Sequence, residues 1–243
     1  MSLLSIENVS KRYSRGRREY RALDNVSLAI ESGELVVVLG PRKSGRSTLL
    51  RIAAGLERAD EGVVRFEDAP LPRTREVVGR QISYCHTLFS PMEGERARHH
   101  VAATLLAQGV SSARAGRLAL EALARAGVEE CARMRPDELN AVESVRVAIA
   151  RALIAAPSML VIDDPTGRVD SLHGDEILRL LRSLVHDGIA VLMSTDDATR
   201  ISGADRVVSL DGGRIRAEVK GAYADVLPLR PRKHELQPDA HLG

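Results

Sequence analysis

Residues 40–48 read Gly40-Pro41-Arg42-Lys43-Ser44-Gly45-Arg46-Ser47-Thr48. A glycine, four variable residues, a second glycine, a cation and two hydroxyls are spaced here as a phosphate-binding loop requires. The two glycines let the chain wrap closely while successive backbone N–H groups turn toward phosphate oxygens, and a helix beginning at the second glycine adds the positive end of its dipole. Ser47 would place a hydroxyl on a phosphate-bound Mg²⁺. Arg46 is the one departure from G-x-x-x-x-G-K-[ST]. Its planar fork keeps the positive charge of lysine but is longer and bulkier at a tight loop, so nucleotide binding is expected to survive in weakened form. Arg42 and Lys43 occupy variable positions and read as a solvated face of the loop.

Such a loop needs a strand before it and a helix after it, and the sequence supplies both. Leu35 to Leu39 is a short apolar run after the turn Ser32-Gly33, and STLLRIAAGL carries a helical stripe of Leu49, Leu50, Ile52, Ala53 and Leu56 that stops near Gly55. Further strands are expected at Leu3 to Val9, Val26 to Ile30, 62–66 and 80–84. From about 90 to 156 the composition turns to Ala, Leu, Arg and Glu, as in SSARAGRLALEALARAGV and SVRVAIARALIAA, which reads as an inserted helical subdomain. Strand and helix then alternate again: MLVID (159–163), a helix near 172–187, AVLMS (190–194), a short helix, and RVVSL with RIRAEV as a terminal pair. That alternation implies a mainly parallel sheet with helices on its faces. The last fifteen or so residues, with Pro228, Pro231 and Pro238, read as a loose tail.

Composition narrows the function classes. A chain of 243 residues with 44% hydrophobic content can bury a large core. Its 35 Lys+Arg against 33 Asp+Glu leave +2, which argues against a basic nucleic-acid coat, and two Phe, four Tyr and no Trp are too few to stack successive bases. The run Lys11, Arg12, Arg15, Arg17, Arg18 reads as a solvated face rather than a phosphate track, so no nucleic-acid partner is expected. Cys85 and Cys131 make no disulfide framework and read as core thiols. Glu95 and His99, with His100 adjacent, lack the second pair that a metal needs and read as a helix surface. The opening MSLLSIENVSKRY has no signal-peptide pattern and no apolar run is long enough to span a bilayer, so a membrane role is expected only through a partner.

Two long stretches, ALDNVSLAIESGELVVVLGP and ARALIAAPSMLVIDDPTGRVDS, together with the loop, carry a resemblance. Over roughly residues 3 to 220 the chain resembles the nucleotide-binding subunits of ATP-binding-cassette (ABC) transporters, and most of all those serving lipoprotein release and macrolide export. The resemblance implies an α/β fold: a P-loop NTPase (RecA-like) core with an antiparallel β-subdomain and an inserted α-helical subdomain. On that pattern the core and β-subdomain occupy 1–89 and 157–225, the helical subdomain 90–156, and the tail 226–243. It also implies ATP and Mg²⁺ as cofactors, a second ABC subunit in a head-to-tail homodimer or heterodimer, a membrane permease subunit, and a place at the cytoplasmic face of the membrane.

Carried over residue by residue, the resemblance assigns Tyr13 to adenine stacking, Gly40 through Thr48 to the phosphates, and Asp163 with Ser47 to Mg²⁺. Other positions depart from the family pattern. Asp164 stands where a glutamate polarises water, and shortening a carboxylate by about 1 to 1.5 Å is expected to cost on the order of a hundredfold in rate. Asp196 stands where a histidine contacts the γ-phosphate, and a carboxylate there repels phosphate. Thr87, with His86 adjacent, replaces the glutamine that senses the metal. In place of a serine and two glycines, the signature segment reads Asn140-Ala141-Val142, with a β-branched side chain where a bare backbone approaches the partner's nucleotide. Both halves of a shared site are thus altered. The resulting expectation is a permease-docking subunit with weak or absent ATP hydrolysis. The alternatives are a working transport ATPase that tolerates the substitutions and, further off, a soluble ABC protein acting on nucleic acid or ribosomes. Phe89 to Ala97 falls in the permease-facing region of the family.

Overall fold

A computed structural model of the chain describes residues 2–16, 18–71, 79–85, 95–167 and 169–221. Strands β1 (Ser2–Arg15), β2 (Arg18–Glu31), β3 (Leu35–Leu39), β4 (Glu61–Phe66), β5 (Ala69–Pro70), β6 (Ile82–Cys85), β7 (Met159–Asp163), β8 (Ala190–Thr195), β9 (Arg206–Asp211) and β10 (Arg214–Lys220) form two sheets. Helices are α1 (Arg46–Ala53), α2 (Ala97–Leu106), α3 (Ser112–Arg125), α4 (Ala141–Leu153) and α5 (Ser171–His186).

The larger sheet runs β10-β9-β3-β8-β7-β6, with β9 through β6 parallel and β10 antiparallel to β9. Its strands are apolar without alternation because both faces are covered. Val36, Val38, Val161 and Leu192 turn toward α1 and the smaller sheet, while Val37, Leu39, Ile162 and Met193 turn toward α4 and α5. The smaller sheet is antiparallel, in the order β2-β1-β4-β5, and shares the first of these cores. Between β6 and β7 the chain makes α2, α3 and α4, which pack on one another through Ala115, Ala119, Leu123, Val101 and Val147.

Three expected strands differ in extent. The strands read at Leu3 to Val9 and Val26 to Ile30 are the inner halves of a hairpin whose strands run 14 residues each, Ser2–Arg15 and Arg18–Glu31. The outer halves are charged and lack apolar alternation, but their backbone ladder continues through Tyr13 opposite Tyr20 and needs no buried face. The strand read at 80–84 lies at Ile82–Cys85, after a turn at Gly79 and Arg80. The C-terminal tail and most of the segment Phe89 to Ala97 lie outside the described residues.

Candidate functional site

The loop starts where β3 ends. Gly40 donates its N–H to the Thr195 carbonyl at 3.1 Å, and the Ser44 N–H closes a turn onto the Pro41 carbonyl at 3.1 Å. A Cβ on Gly40 would run into the Leu210 carbonyl oxygen and the Ser44 hydroxyl, so a bare backbone is what lets the loop seat between strand ends. Gly45, at φ 105°, is the N-cap of α1 and brings no capping side chain. The Leu49 N–H is the donor that reaches back to the Gly45 carbonyl, at 2.9 Å. Helix geometry therefore leaves the N–H groups of Arg46, Ser47 and Thr48 for an outside acceptor. With no acid in the first turn, the positive end of α1 is unopposed by its own sequence.

The side chains of the loop divide by direction. Pro41, Arg42, Lys43 and Ser47 are exposed, whereas Ser44 and Thr48 are buried. Ser44 Oγ and Arg46 Nη1 are buried without a hydrogen-bond partner, and so are Asp164 Oδ1 and Thr166 Oγ1 in the turn after β7. Buried polar atoms are nearly always paired, so orphans on two turns at the same edge of the sheet mark a place built for a polar ligand. Two of them are donors beside a helix N-terminus, which fits a phosphate chain.

Strand order explains why the acids converge there. β3, β8 and β7 are neighbours, so the residues that close or follow them, Gly40, Asp196, Asp163 and Asp164, meet at one edge of the sheet. The carboxyl ends of parallel strands are where open α/β sheets bind ligands. Asp163 accepts from the Ser194 hydroxyl at 2.5 Å, and Ser194 Oγ accepts from the Asp164 N–H at 3.2 Å. Asp164 itself takes a left-handed φ of 48°, with its carboxylate laid against the bare Cα of Gly167. Burial first, and then the Asp196 charge, hold the Asp164 carboxyl above the usual carboxylate range, with Arg46 opposing them. Asp196 Oδ2 lies 3.6 Å from Arg46 Nη2.

At the other end of the loop, the Tyr13 hydroxyl stands 3.4 Å from Thr48 Oγ1, donates to Glu57 at 2.5 Å and accepts from Arg51 Nη2 at 2.9 Å. Its ring stacks on Tyr20 with centroids 5.4 Å apart, and Lys11 Nζ lies 5.6 Å from its centroid. Burial and the Glu57 bond raise the phenol above its ordinary value.

Asn140, Ala141 and Val142 open α4 rather than joining the loop. Asn140 Oδ1 accepts from the Glu143 N–H at 2.9 Å and Glu143 Oε2 accepts from the Asn140 N–H at 2.8 Å, a reciprocal cap. Asn140→Ala is expected to lower stability by about 1 kcal/mol in chemical denaturation, with Asn140→Ser nearly neutral. Thr87 and His86 lie outside the described residues.

A metal held by the protein alone does not emerge. Among the described residues no group of three or more His, Cys, Asp and Glu side chains is disposed to hold an ion. Asp163 and Ser47 suit Mg²⁺ arriving with phosphate oxygens as its further ligands. Glu95 and His99 pair with each other at 2.6 Å, with both side chains close to half exposed. Cys85 and Cys131 are free and buried, and burial pushes the Cys85 thiol up to about 12.

Several contributors are invisible to sequence reading. Ser194 fixes Asp163, Glu57 and Arg51 grip Tyr13, and Arg200 ties the segment after Asp196 to the start of α5 through the Ser171 carbonyl at 2.8 Å. The one local signal is the Ser-Thr ending of an otherwise apolar strand, AVLMST.

The chain as a whole is similar to known proteins. Residues 23–167 match the family described as ABC transporter. The chain is similar to MJ0796, described as a bacterial ABC transporter cassette in a dimeric structure, at 31% identity over 89% of this chain and 98% of that one, with a TM-score of 0.81. A post-hydrolysis dimer of the same cassette, bound to ADP and Pi, matches with the same figures. The fold is also that of cbiO1 from Clostridium perfringens, described as part of the ABC transporter complex cbiONQ, at 24% identity over 90% of this chain and 88% of that one, with a TM-score of 0.78.

Proposed function

The chain belongs to the ABC transporter family, and from that premise we propose that it is an ATP-binding subunit which docks on a membrane permease and hydrolyses ATP weakly or not at all. MJ0796 forms a dimer and cbiO1 is part of a transporter complex, which supports a second cassette and a permease as partners here. No helix among the described residues is long and apolar enough to cross a membrane. The proposed place, which follows from the permease reading, is peripheral at the cytoplasmic face. In this reading residues 1–89 and 157–225 form the nucleotide core with its β-subdomain, and 90–156 form the helical subdomain that meets the permease.

ATP would supply a phosphoanhydride and, with Mg²⁺, the charge that closes two cassettes on each other. The chain's own residues would divide the remaining tasks. Tyr13 is assigned to the base, the N–H groups and Ser44 and Arg46 to the phosphates, Asp163 and Ser47 to the ion, and Asn140, Ala141 and Val142 to the partner's nucleotide. Poor hydrolysis is supported above all by one observation: the loop's cation is already paired with Asp196, at a position where a hydrogen-bond donor would be needed for a transferring phosphoryl group. The short Asp164, lying on Gly167, adds to it.

The test is steady-state ATP turnover of the purified permease complex beside a variant carrying Arg46→Lys, Asp164→Glu and Asp196→His. Turnover of the unaltered complex is expected to be low and to rise about tenfold or more in the variant, because a positioned donor and a repositioned carboxylate each act on the transition state. Ordinary turnover that is indifferent to all three changes would leave the proposal without support and favour a working ATPase.

A further inference from the structure

Arg46 carries its guanidinium inward, with its side chain 11% exposed and its Nη1 lacking a partner. Its other terminal nitrogen faces Asp196, whose backbone is anchored to the loop because the preceding Thr195 carbonyl accepts the Gly40 N–H. Asp163 ends and Asp164 follows β7, the neighbour of β8, with Asp163 opposite Ser194. Three carboxylates therefore stand at one end of the loop, while Tyr13 marks the other end through Thr48.

This order gives the site a direction, which rests on the nucleotide reading above. A phosphate chain entering at the Tyr13 end and lying along the N–H groups of Arg46, Ser47 and Thr48 would set an inner phosphate at Arg46 and carry a terminal one on toward the strand ends that bear Asp196 and Asp164. An inner phosphate that takes over Arg46 from Asp196 exchanges one counter-charge for another. A terminal phosphate would add further negative charge before Asp196 and Asp164. We infer that Asp196 is a specificity-determining residue that selects against the terminal phosphate, so that the site takes a nucleoside diphosphate at least as well as the triphosphate.

Equilibrium binding separates this from the turnover question. The full chain is titrated by calorimetry with ADP and with the β,γ-imido analogue of ATP, each with Mg²⁺, as the unaltered protein and as Asp196→Asn and Asp196→Ser. Thermal melts establish that each variant is folded. The unaltered chain is expected to bind ADP as tightly as the analogue or more tightly. Either substitution is expected to tighten the analogue about tenfold more than it tightens ADP: both ligands are relieved of competing with Asp196 for Arg46, and only the analogue is also relieved of a like charge beside its terminal phosphate. Analogue binding tenfold or more tighter than ADP in the unaltered chain overturns the inference but not the cassette reading. So do substitutions that shift both ligands equally. Failure of both ligands to bind overturns the inference and the nucleotide reading together.

Discussion

Gly45→Ala is expected to lower the stability of the chain by about 4 kcal/mol and to abolish nucleotide binding. At φ 105° the residue lies in a region that a side chain enters at a cost of about 1 to 3 kcal/mol. A Cβ there would also run into the Ala22 carbonyl oxygen and stand 3.0 Å from Leu23 Cδ2. That carbonyl cannot retreat cheaply, because Leu23 and Ala22 are buried in β2 and the neighbouring strand β1 holds the ladder at Lys11. Overpacking of this kind adds about 1 to 3 kcal/mol more. Relief would come from lifting α1 off the hairpin, which destroys the convergence of its N–H groups and uncovers Leu49 and Leu50. For a chain of this length a melt about 10 °C lower is expected. A melt within about 2 °C of the unaltered protein would mean that the loop does not pass this close to β2.

The same loop shows what a sequence discloses and what it withholds. Gly40 to Thr48 is legible as a tight turn from strand to helix because glycines at fixed separations stand within one segment. The central strands are legible too: an apolar run such as Leu35 to Leu39 has few other places to go, and the stripe through Val145, Ala148, Ile149 and Ala152 has helical spacing. The pairing of Arg46 with Asp196 is different. Each residue departs from the family pattern alone, 150 positions apart along the chain, and they meet only because β3 and β8 are parallel neighbours with Leu39 opposite Thr195. Two positions that the resemblance treats separately are one ion pair. Tyr13 is similar, since the family pattern singles it out as an aromatic but its hold on Glu57 and Arg51 depends on how the hairpin closes over the end of α1. Charged outer strands such as Lys11 to Arg15 escape notice for the opposite reason, because a backbone ladder at a solvated edge leaves no hydrophobic trace.

Gly174 carries the second large expectation, through a side chain that the sequence places 26 residues away. Inside α5, replacing glycine with alanine should by helix propensity stabilise by about 0.5 to 1 kcal/mol. Gly116, in α3 with nothing within 4 Å of an added Cβ, is expected to behave in that way. At Gly174 the added Cβ would land on the guanidinium of Arg200, whose side chain is 9% exposed and whose Nη1 donates to the Ser171 carbonyl at 2.8 Å. Arg200 also lies 3.6 Å from Asp175 and 3.5 Å from Asp197, so displacing it loosens α5 and the segment after Asp196 together. Losing a charge-assisted bond of this kind costs about 1.5 to 3 kcal/mol, which outweighs the propensity gain, so Gly174→Ala is expected to destabilise by about 1 to 2 kcal/mol. Arg200→Ala alone should cost about 3 kcal/mol, since the buried stem is lost with the bond. In that background the obstruction is gone, and Gly174→Ala should turn stabilising by up to about 1 kcal/mol. A double-mutant cycle in urea therefore should return a coupling of about 2 to 3 kcal/mol between the two positions. Additive effects would show that Arg200 does not cross the helix at Gly174, and that α5 and the Asp196 segment are held together by something else.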